Sequence, residues 1–271
     1  MSRTLLTLRE SVTLPVEAEV ISPDCFHGLS EMQVATLPVV FGRRQRQLGD
    51  FFKVDGDGAD EIVIEGNLSH VKRIGQGMTR GRIDILGDVG MHLGCMMRGG
   101  EISVQGDVGP WAGAKMSGGK LWVHGSAGAM LGGPYTGETR GMRGGMIVVE
   151  GNVGPRAGER MRRGLVVIQG NAGELAGARM IAGSIIVLGE LGARPGAGMK
   201  RGTIVALGGL EDGLLPTFHF ACSYQPTFLR TYLRRLEGMG LPISPSHIET
   251  DYRRYAGDVN TIGKGEILVH G

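Results

Sequence analysis

GLVVIQGNAG (Gly164–Gly173) is followed by GSIIVLGELG (Gly183–Gly192), and the two begin 19 residues apart. Four earlier stretches have the same form: GRIDILGDVG (Gly81–Gly90), GEISVQGDVG (Gly100–Gly109), GKLWVHGSAG (Gly119–Gly128) and GMIVVEGNVG (Gly145–Gly154). Degenerate copies stand before them, EIVIEGNLS from Glu61, and after them, GTIVALGGL from Gly202. The glycines that close the strands are Gly66, Gly87, Gly106, Gly125, Gly151, Gly170, Gly189 and Gly208, at intervals of 21, 19, 19, 26, 19, 19 and 19. A fixed period of this length marks a repeat architecture. Within each unit apolar and variable residues alternate over five positions, the pattern of a half-buried strand. The expected inward pairs are Ile83/Ile85, Ile102/Val104, Leu121/Val123, Ile147/Val149, Val166/Ile168, Ile185/Val187 and Ile204/Ala206. One strand per unit cannot form a hairpin with itself, so each is expected to pair in parallel with its copy one unit away. The expected fold is all-β dominated: a right-handed parallel β-helix (β-solenoid) of 19-residue coils over 61–209. A small N-terminal lobe (1–60) and a C-terminal segment (210–271) with a packed helix and a returning strand flank it.

Glycine supplies 49 of the 271 residues, and 37 of these lie between Gly66 and Gly209. That share is more than twice the ~7% of ordinary proteins. It excludes a helical fold, since each glycine in a helix interior costs roughly 1 kcal/mol against alanine. Collagen is excluded by the absence of a three-residue period and by a count of only 11 prolines. A hydrophobic content of 41% with a net charge of +2 provides for a core and argues against disorder. No apolar run approaches the ~20 residues of a membrane span, and the start, MSRTLLTLRESVTLPVEAEV, is broken by charges. A soluble, cytoplasmic chain is expected. Cys25, Cys95 and Cys222 are odd in number and far apart, which fits neither a disulfide framework nor a CxxC metal knuckle.

A second column supports the register. Methionine stands nine residues before the closing glycine in seven units, as Met78, Met97, Met116, Met142, Met161, Met180 and Met199. Thioethers stacked in a coil interior serve as flexible core filling; a metal-thioether or redox role is the competing reading. The middle residue of each strand points outward and changes from Asp84 and Ser103 to Trp122, Val148, Val167, Ile186 and Val205. An apolar strip of that length is not expected to face water. PTFLRTYLRRLEGMG has helical spacing at Phe228, Leu229, Tyr232, Leu233 and Leu236 and a glycine stop at Gly238. Either this helix or another protein chain is expected to cover the strip. GKGEILVHG, near the end, has the form of one more repeat strand.

No complete active site is legible, and no catalytic residue or metal ligand is assigned. GQGMTRG (from Gly75) and GAGMKRG (from Gly196) lack the GxGxxG spacing of a dinucleotide site, and no GxxxxGK[ST] or HExxH motif occurs. HFAC (His219–Cys222) holds a lone pair of metal-capable side chains, more often buried packing than a metal site. Positive charge is better organised. Arg98, Arg143, Arg162 and Lys200 follow the methionine by one residue; Arg80, Arg163 and Arg201 follow it by two; Lys115, Arg160 and Arg179 precede it by one. At the 4.7–4.9 Å spacing of paired strands this turn carries a basic ridge about 30 Å long. A solvated edge that resists aggregation explains such a ridge, and so does a track for an extended polyanion. Nucleic acid is the weaker candidate at a net charge of +2 and 5% aromatics. Another basic cluster, Arg43, Arg44 and Arg46, lies in the N-terminal lobe. The interval of 26 places seven extra residues around GGPYTGETRG (Gly132–Gly141), a loop that is either a binding face or a tolerated insertion.

The repeated G-x-[IV]-x-[VIL]-x-G-[DN]-[VA]-G with its methionine column resembles the GxGxG β-helix domain, over roughly Glu61 to Gly209. That domain forms the C-terminal part of the glutamate synthase large subunit, and it also makes up the C subunit of formylmethanofuran dehydrogenases. A stand-alone chain of 271 residues with the tail FHFACSYQPTFLRTYLRRL is similar to the latter. The resemblance implies a structural, non-catalytic subunit, with the chemistry in amidohydrolase-like, formyltransferase and dehydrogenase-B-like partners. Two parents are open: the bacterial formyltransferase/hydrolase complex of formaldehyde oxidation and the archaeal tungsten or molybdenum enzyme. The arginine-rich composition leans to the bacterial one. The bacterial complex takes a formyl group from formyl-tetrahydromethanopterin to a methanofuran-type carrier and releases formate. The carrier's polyglutamate tail gives the ridge a ligand, and the column arithmetic then nominates Arg98, Arg143, Arg162, Arg163, Lys200 and Arg201 to hold it. A stand-alone β-helix enzyme or another polyanion-binding module are the readings of a different class.

Overall fold

The structure, a computed structural model, describes residues 3–271. Seven repeat strands lie side by side in chain order: Arg82–Leu86, Glu101–Val104, Ser117–Val123, Arg143–Val149, Arg163–Ile168, Ser184–Val187 and Arg201–Ala206. All neighbours among them are parallel, and register follows the repeat: Ile83 pairs with Ile102, and the line continues through Leu121, Ile147, Val166, Ile185 and Ile204. All the expected inward residues are buried. On one side Glu61–Glu65 and Thr4–Leu8 add in parallel and Phe52–Asp55 adds antiparallel. On the other, Lys264–His270 adds in parallel, the returning strand that its form suggested, and Tyr252–Gly257 and His219–Tyr224 follow antiparallel. The result is a 13-stranded sheet beside a four-stranded one, so the fold is all-β dominated with a few helices. Val16–Glu17 in the small sheet pairs with Val71–Lys72, which ties the N-terminal residues to the first repeat unit. Leu6, Phe26 and Phe52 share one apolar cluster with Val269 near the other end of the chain.

The strand is one of three places where each unit is bonded to the last. A second column of parallel bridges runs from Leu68 through Val89, Val108, Ala127, Val153, Ala172 and Leu191 to Leu210. In a third, the Gly94 amide donates to the Ile74 carbonyl at 2.8 Å, and Gly113, Gly132, Gly158, Gly177 and Gly196 repeat the contact to Leu93, Ala112, Leu131, Ala157 and Ala176. A polar ladder gives the [DN] of the repeat its purpose. The Asp88 carboxylate accepts from the Asp107 amide, Asp107 from Ser126, Ser126 from Asn152, Asn152 from Asn171, and Asn171 from Glu190.

The methionine and glycine columns are two halves of one contact. A Cβ placed on Gly119 would sit 2.7 Å from the Met97 methyl; on Gly145, 2.9 Å from that of Met116; on Gly164, 2.8 Å from that of Met142. Gly183 and Gly202 stand in the same relation to Met161 and Met180, and these glycines have φ between +82° and +106°. Each thioether is buried, which supports its reading as core filling.

The opposite turn alternates left-handed residues. Trp111, Gly113 and Lys115 have φ of 60°, 62° and 58°, and Arg156, Gly158 and Arg160 have 65°, 66° and 53°. The central position must be glycine, because its Cβ would point inward, 2.5 Å from the Ile147 methyl at Gly113 and 2.6 Å from that of Ile185 at Gly158. The flanking residues carry large side chains despite the roughly 1–2 kcal/mol that the left-handed region costs. Their amides bond forward to the next unit, Trp111 to Ala129 and Arg160 to Ala178, while the central glycine bonds backward.

Outside the stack, the helix Thr227–Glu237 starts after Pro226 and ends at Gly238, with Arg234 and Arg235 in its last turn where they complement the helix dipole. Its buried Leu229, Leu233 and Leu236 join Val148, Val167, Ile186 and Val205 in a second apolar cluster. The outward strip is thus covered by the chain itself, except at Trp122, which packs at the edge of that cluster.

Gly164→Ala should lower stability by roughly 2–5 kcal/mol, combining the left-handed cost with overpacking against Met142. Gly137→Ala, at φ +84° with nothing within 4 Å, should cost only about 1–2 kcal/mol. Denaturant midpoints of the two variants compare them directly. Equal losses would mean that the methionine contact is not what requires the glycine.

Candidate functional site

The basic ridge exists as a line of backbone-bonded positions, but it is interrupted. The amides of Arg98, Arg143, Arg162 and Lys200 donate to the carbonyls of Met78, Met116, Met142 and Met180 at 2.7–2.8 Å, and Ser117 and Ile181 fill the same position in the intervening units. Arg143 and Arg162 are therefore direct neighbours, while Arg98 and Lys200 each stand one unit off. Arg163 is the register partner of Arg143, and Arg201 that of Lys264. The six nominated cations fall into Arg98 alone, Arg143–Arg162–Arg163, and Lys200–Arg201, the last extended by Lys264. All are exposed except Arg162, which is half-buried with its Nε unpartnered. None of the six makes an ion pair among the described residues. The cations that precede the methionine are instead engaged: Lys115 contacts Glu138 at 2.6 Å, and Arg160 and Arg179 each approach Glu159 at 3.7 Å. Among the cations that follow the methionine, Arg80 also approaches acids, Asp24 at 3.9 Å and Asp60 at 3.8 Å, which leaves the six nominated residues as the unpaired part of the turn.

Arg163 also reaches a groove of about 540 Å³ between the strand starts and the C-terminal helix. Its floor is the glycine column Gly119, Gly145, Gly164 and Gly183, and its walls are Lys120, Arg163, Tyr232 and Arg235. Lys120 pairs with Glu101 at 3.0 Å and lies over the Trp122 ring. Arg235 and Tyr232 do not stand out in the sequence as groove residues, because the helix announces itself there only by its apolar stripe. Their signal is their place beside Leu236 on the flank of that stripe.

The inserted loop is anchored. The Met142 amide donates back to the Gly132 carbonyl at 2.7 Å and closes it. His92 stacks on Trp111 with centroids 5.6 Å apart and meets the edge of Tyr135 at 5.3 Å, and Trp111 Nε1 donates to the Pro134 carbonyl. Tyr135 lies beside Cys95, whose thiol is pushed up by burial; burial likewise raises the Tyr135 phenol. Cys95 is a buried, weakly reactive thiol, whereas Cys25 and Cys222 are exposed. His219 and Cys222 lie on the sheet's edge strand with Cys222 exposed, and no cluster of three or more His, Cys, Asp or Glu side chains is gathered among the described residues. No helix among them is long and apolar enough to cross a membrane.

These features define a parallel-strand repeat protein with an exposed line of cations. The GXGXG motif family matches residues 82–212. Over 99 residues the chain is 40% identical to the C subunit of the tungsten-containing formylmethanofuran dehydrogenase 2 of Methanothermobacter marburgensis, covering 35% of this chain and 37% of that protein. Over 89 residues it is 40% identical to the C subunit of the formyltransferase/hydrolase complex Fhc of Methylorubrum extorquens, covering 32% and 34%. These alignments span little more than a third of the relatives' length. A chain in the crystal structure of the formyltransferase/hydrolase complex (FhcABCD) from Methylorubrum extorquens with methylofuran superimposes with a TM-score of 0.92 at 38% identity, over 98% of this chain and 99% of that one. The protein belongs to the C-subunit family of formylmethanofuran dehydrogenases and formyltransferase/hydrolase complexes.

Desolvation, and next the charge of Arg73, hold the His92 pKa below its ordinary value of 6.5. The unfolded chain therefore binds the proton first as pH falls, so the stability present above pH 6.5 declines below it. Thermal melts between pH 7.5 and about 5.5 should show this decline, and His92→Phe should flatten it. An identical slope in the variant would remove His92 as the cause.

Proposed function

We propose that this chain is the structural, non-catalytic subunit of a cytoplasmic one-carbon complex. In that reading, partner subunits move a formyl group from formyl-tetrahydromethanopterin to a methanofuran-type carrier and hydrolyse it to formate. They are an amidohydrolase-like, a formyltransferase and a dehydrogenase-B-like subunit. The observation that carries the reading is the near full-length likeness to a chain of a methylofuran-bound complex. The C subunit of an archaeal formylmethanofuran dehydrogenase is the second reading, favoured by local identities that reach 44% with the molybdenum-containing enzyme of Methanothermobacter thermautotrophicus. Residues 61–209 are taken as a right-handed parallel β-helix, with 1–60 as a cap and 210–271 as a covering and closing segment. Three columns of bonds per unit, with apolar and methionine side chains between them, support the coil.

The exposed cations add a binding role to the scaffold, in which Arg98, Arg143, Arg162, Arg163, Lys200 and Arg201 hold the carrier's polyglutamate tail. Exposed ion pairs are worth about 0–1 kcal/mol each, so no single contact fixes the tail while several together retain it. Weak, distributed attraction suits a tail whose reactive end must travel between active sites, and it is screened by salt. Charge reversal at Arg163 and Arg201, with Arg162→Gln, should weaken carrier retention in the purified complex by about tenfold or more, an effect of roughly 1.4 kcal/mol. Unchanged retention across a salt series would remove the ridge from this role and leave the scaffold reading to be judged by whether the partners co-purify.

A further inference from the structure

Glu159 is the most deeply buried acidic side chain of the repeat turns, 4% exposed. Three guanidiniums surround it: Arg156 Nη1 at 3.4 Å, Arg160 Nε at 3.7 Å and Arg179 Nη1 at 3.7 Å. Arg156, Arg160 and Arg179 all occupy left-handed turn positions, with φ of 65°, 53° and 55°. Two successive units thereby bring three cations to one spot. The anchored loop closes over them, and together they line a cavity of about 230 Å³ with Met130, Pro134, Tyr135 and Glu138. The charges do not cancel. Glu138 is matched at one oxygen by Lys115, which lies just outside the lining, and its other oxygen is buried without a partner; with Lys115 counted, four cations stand against two carboxylates, a formal excess of two positive charges.

The hydrogen bonds do not cancel either. Each guanidinium offers five N–H donors, whereas a carboxylate has about four acceptor sites. Only the Arg156 contact is a hydrogen bond; the other two are too long to be one. Donors are therefore left facing a half-open cavity, with the Arg156 and Arg179 side chains more than half exposed at its mouth. One arginine would balance Glu159 in an ion pair that served only to brace the loop. We propose that this cavity binds a compact oxyanion bearing at least two negative charges, a phosphate or a small polycarboxylate. Glu159 sets the angles of the three guanidiniums and offsets one of their charges when the anion is away. The site is separate from the line of unpaired cations, and it does not depend on the function proposed above.

Titration calorimetry and thermal melts of the full chain would use inorganic phosphate and citrate as probes, against chloride at matched ionic strength. A saturable rise in Tm and single-site binding are expected. Arg156→Gln with Arg179→Gln, both at exposed guanidiniums, should weaken binding at least tenfold; Arg179→Gln alone serves if the pair fails to fold. Arg43→Gln with Arg44→Gln, at exposed arginines of the N-terminal lobe, should leave binding unchanged. Glu159→Gln should melt earlier in chloride and be restored by phosphate, an effect that a merely bracing carboxylate would not produce. Absence of saturable binding, equal loss in the Arg43/Arg44 variant, full binding in the Arg156/Arg179 variant, or no rescue of Glu159→Gln would each overturn the proposal. Citrate bound without phosphate would identify the occupant as a polycarboxylate, and phosphate bound without citrate would identify it as a phosphate, either result supporting the site.

Discussion

Every repeat unit rests on a methionine methyl that ends where the following unit has a bare glycine α-carbon. Met142 meets Gly164, Met161 meets Gly183, and Met180 meets Gly202. A Cβ added at Gly164 would meet the Gly145 carbonyl at 2.8 Å as well as the methyl, and a backbone at φ near +100° disfavours any side chain there. The spacing from methionine to glycine is 22 residues in the regular units, and Met116 keeps the contact with Gly145 across seven more. Extra chain is accommodated only where it leaves the stack and returns before the next methionine. The seven-residue insertion does this, closed at its base by the Met142 amide on the Gly132 carbonyl.

The same geometry sorts charge. A residue just before the methionine is left-handed and projects over the turn, within reach of the loop and of Glu159; one just after it opens the next strand and projects to solvent. Arginines two positions apart in sequence therefore live in different surroundings. Arg160 lies against a buried carboxylate, while Arg162 and Arg163 have no acid beside them. A buried carboxylate as fixed partner makes Arg160 part of the structure; water and salt screen the second kind and leave it free for an extended anion.

Period and alternation are enough to give strand order, register and inward residues, because a parallel stack writes its hydrogen-bond partners into the chain as equal spacings. The covering helix is readable from Leu229, Leu233 and Leu236 set against the outward Val148, Val167 and Ile186. Other features are not legible in this way. Trp111, Arg156 and Arg160 at positive φ defy the usual preference for glycine, and inter-unit bonds, not local propensity, hold them there. Thr4–Leu8 joins the sheet as a neighbour of Glu61–Glu65, a pairing that no repeat spacing announces. The breaks in the cation line at Ser117 and Ile181 are present in the columns, but a tally of basic residues hides what stands between them. Glu159 escapes notice because a lone acid among arginines reads as solvated surface until the loop is seen lying over it.

The two ends of the large sheet share a feature with a wider consequence. Parallel strands of equal length and spacing form a template that another copy of the same molecule could extend. Here the last strands at each end, Phe52–Asp55 and His219–Tyr224, run antiparallel to their neighbours, so neither edge repeats the pattern of the interior. Filament growth is thereby discouraged by strand direction. The sheet is of finite extent, and whatever binds along it meets a fixed number of positions at fixed distances, as marks on a ruler.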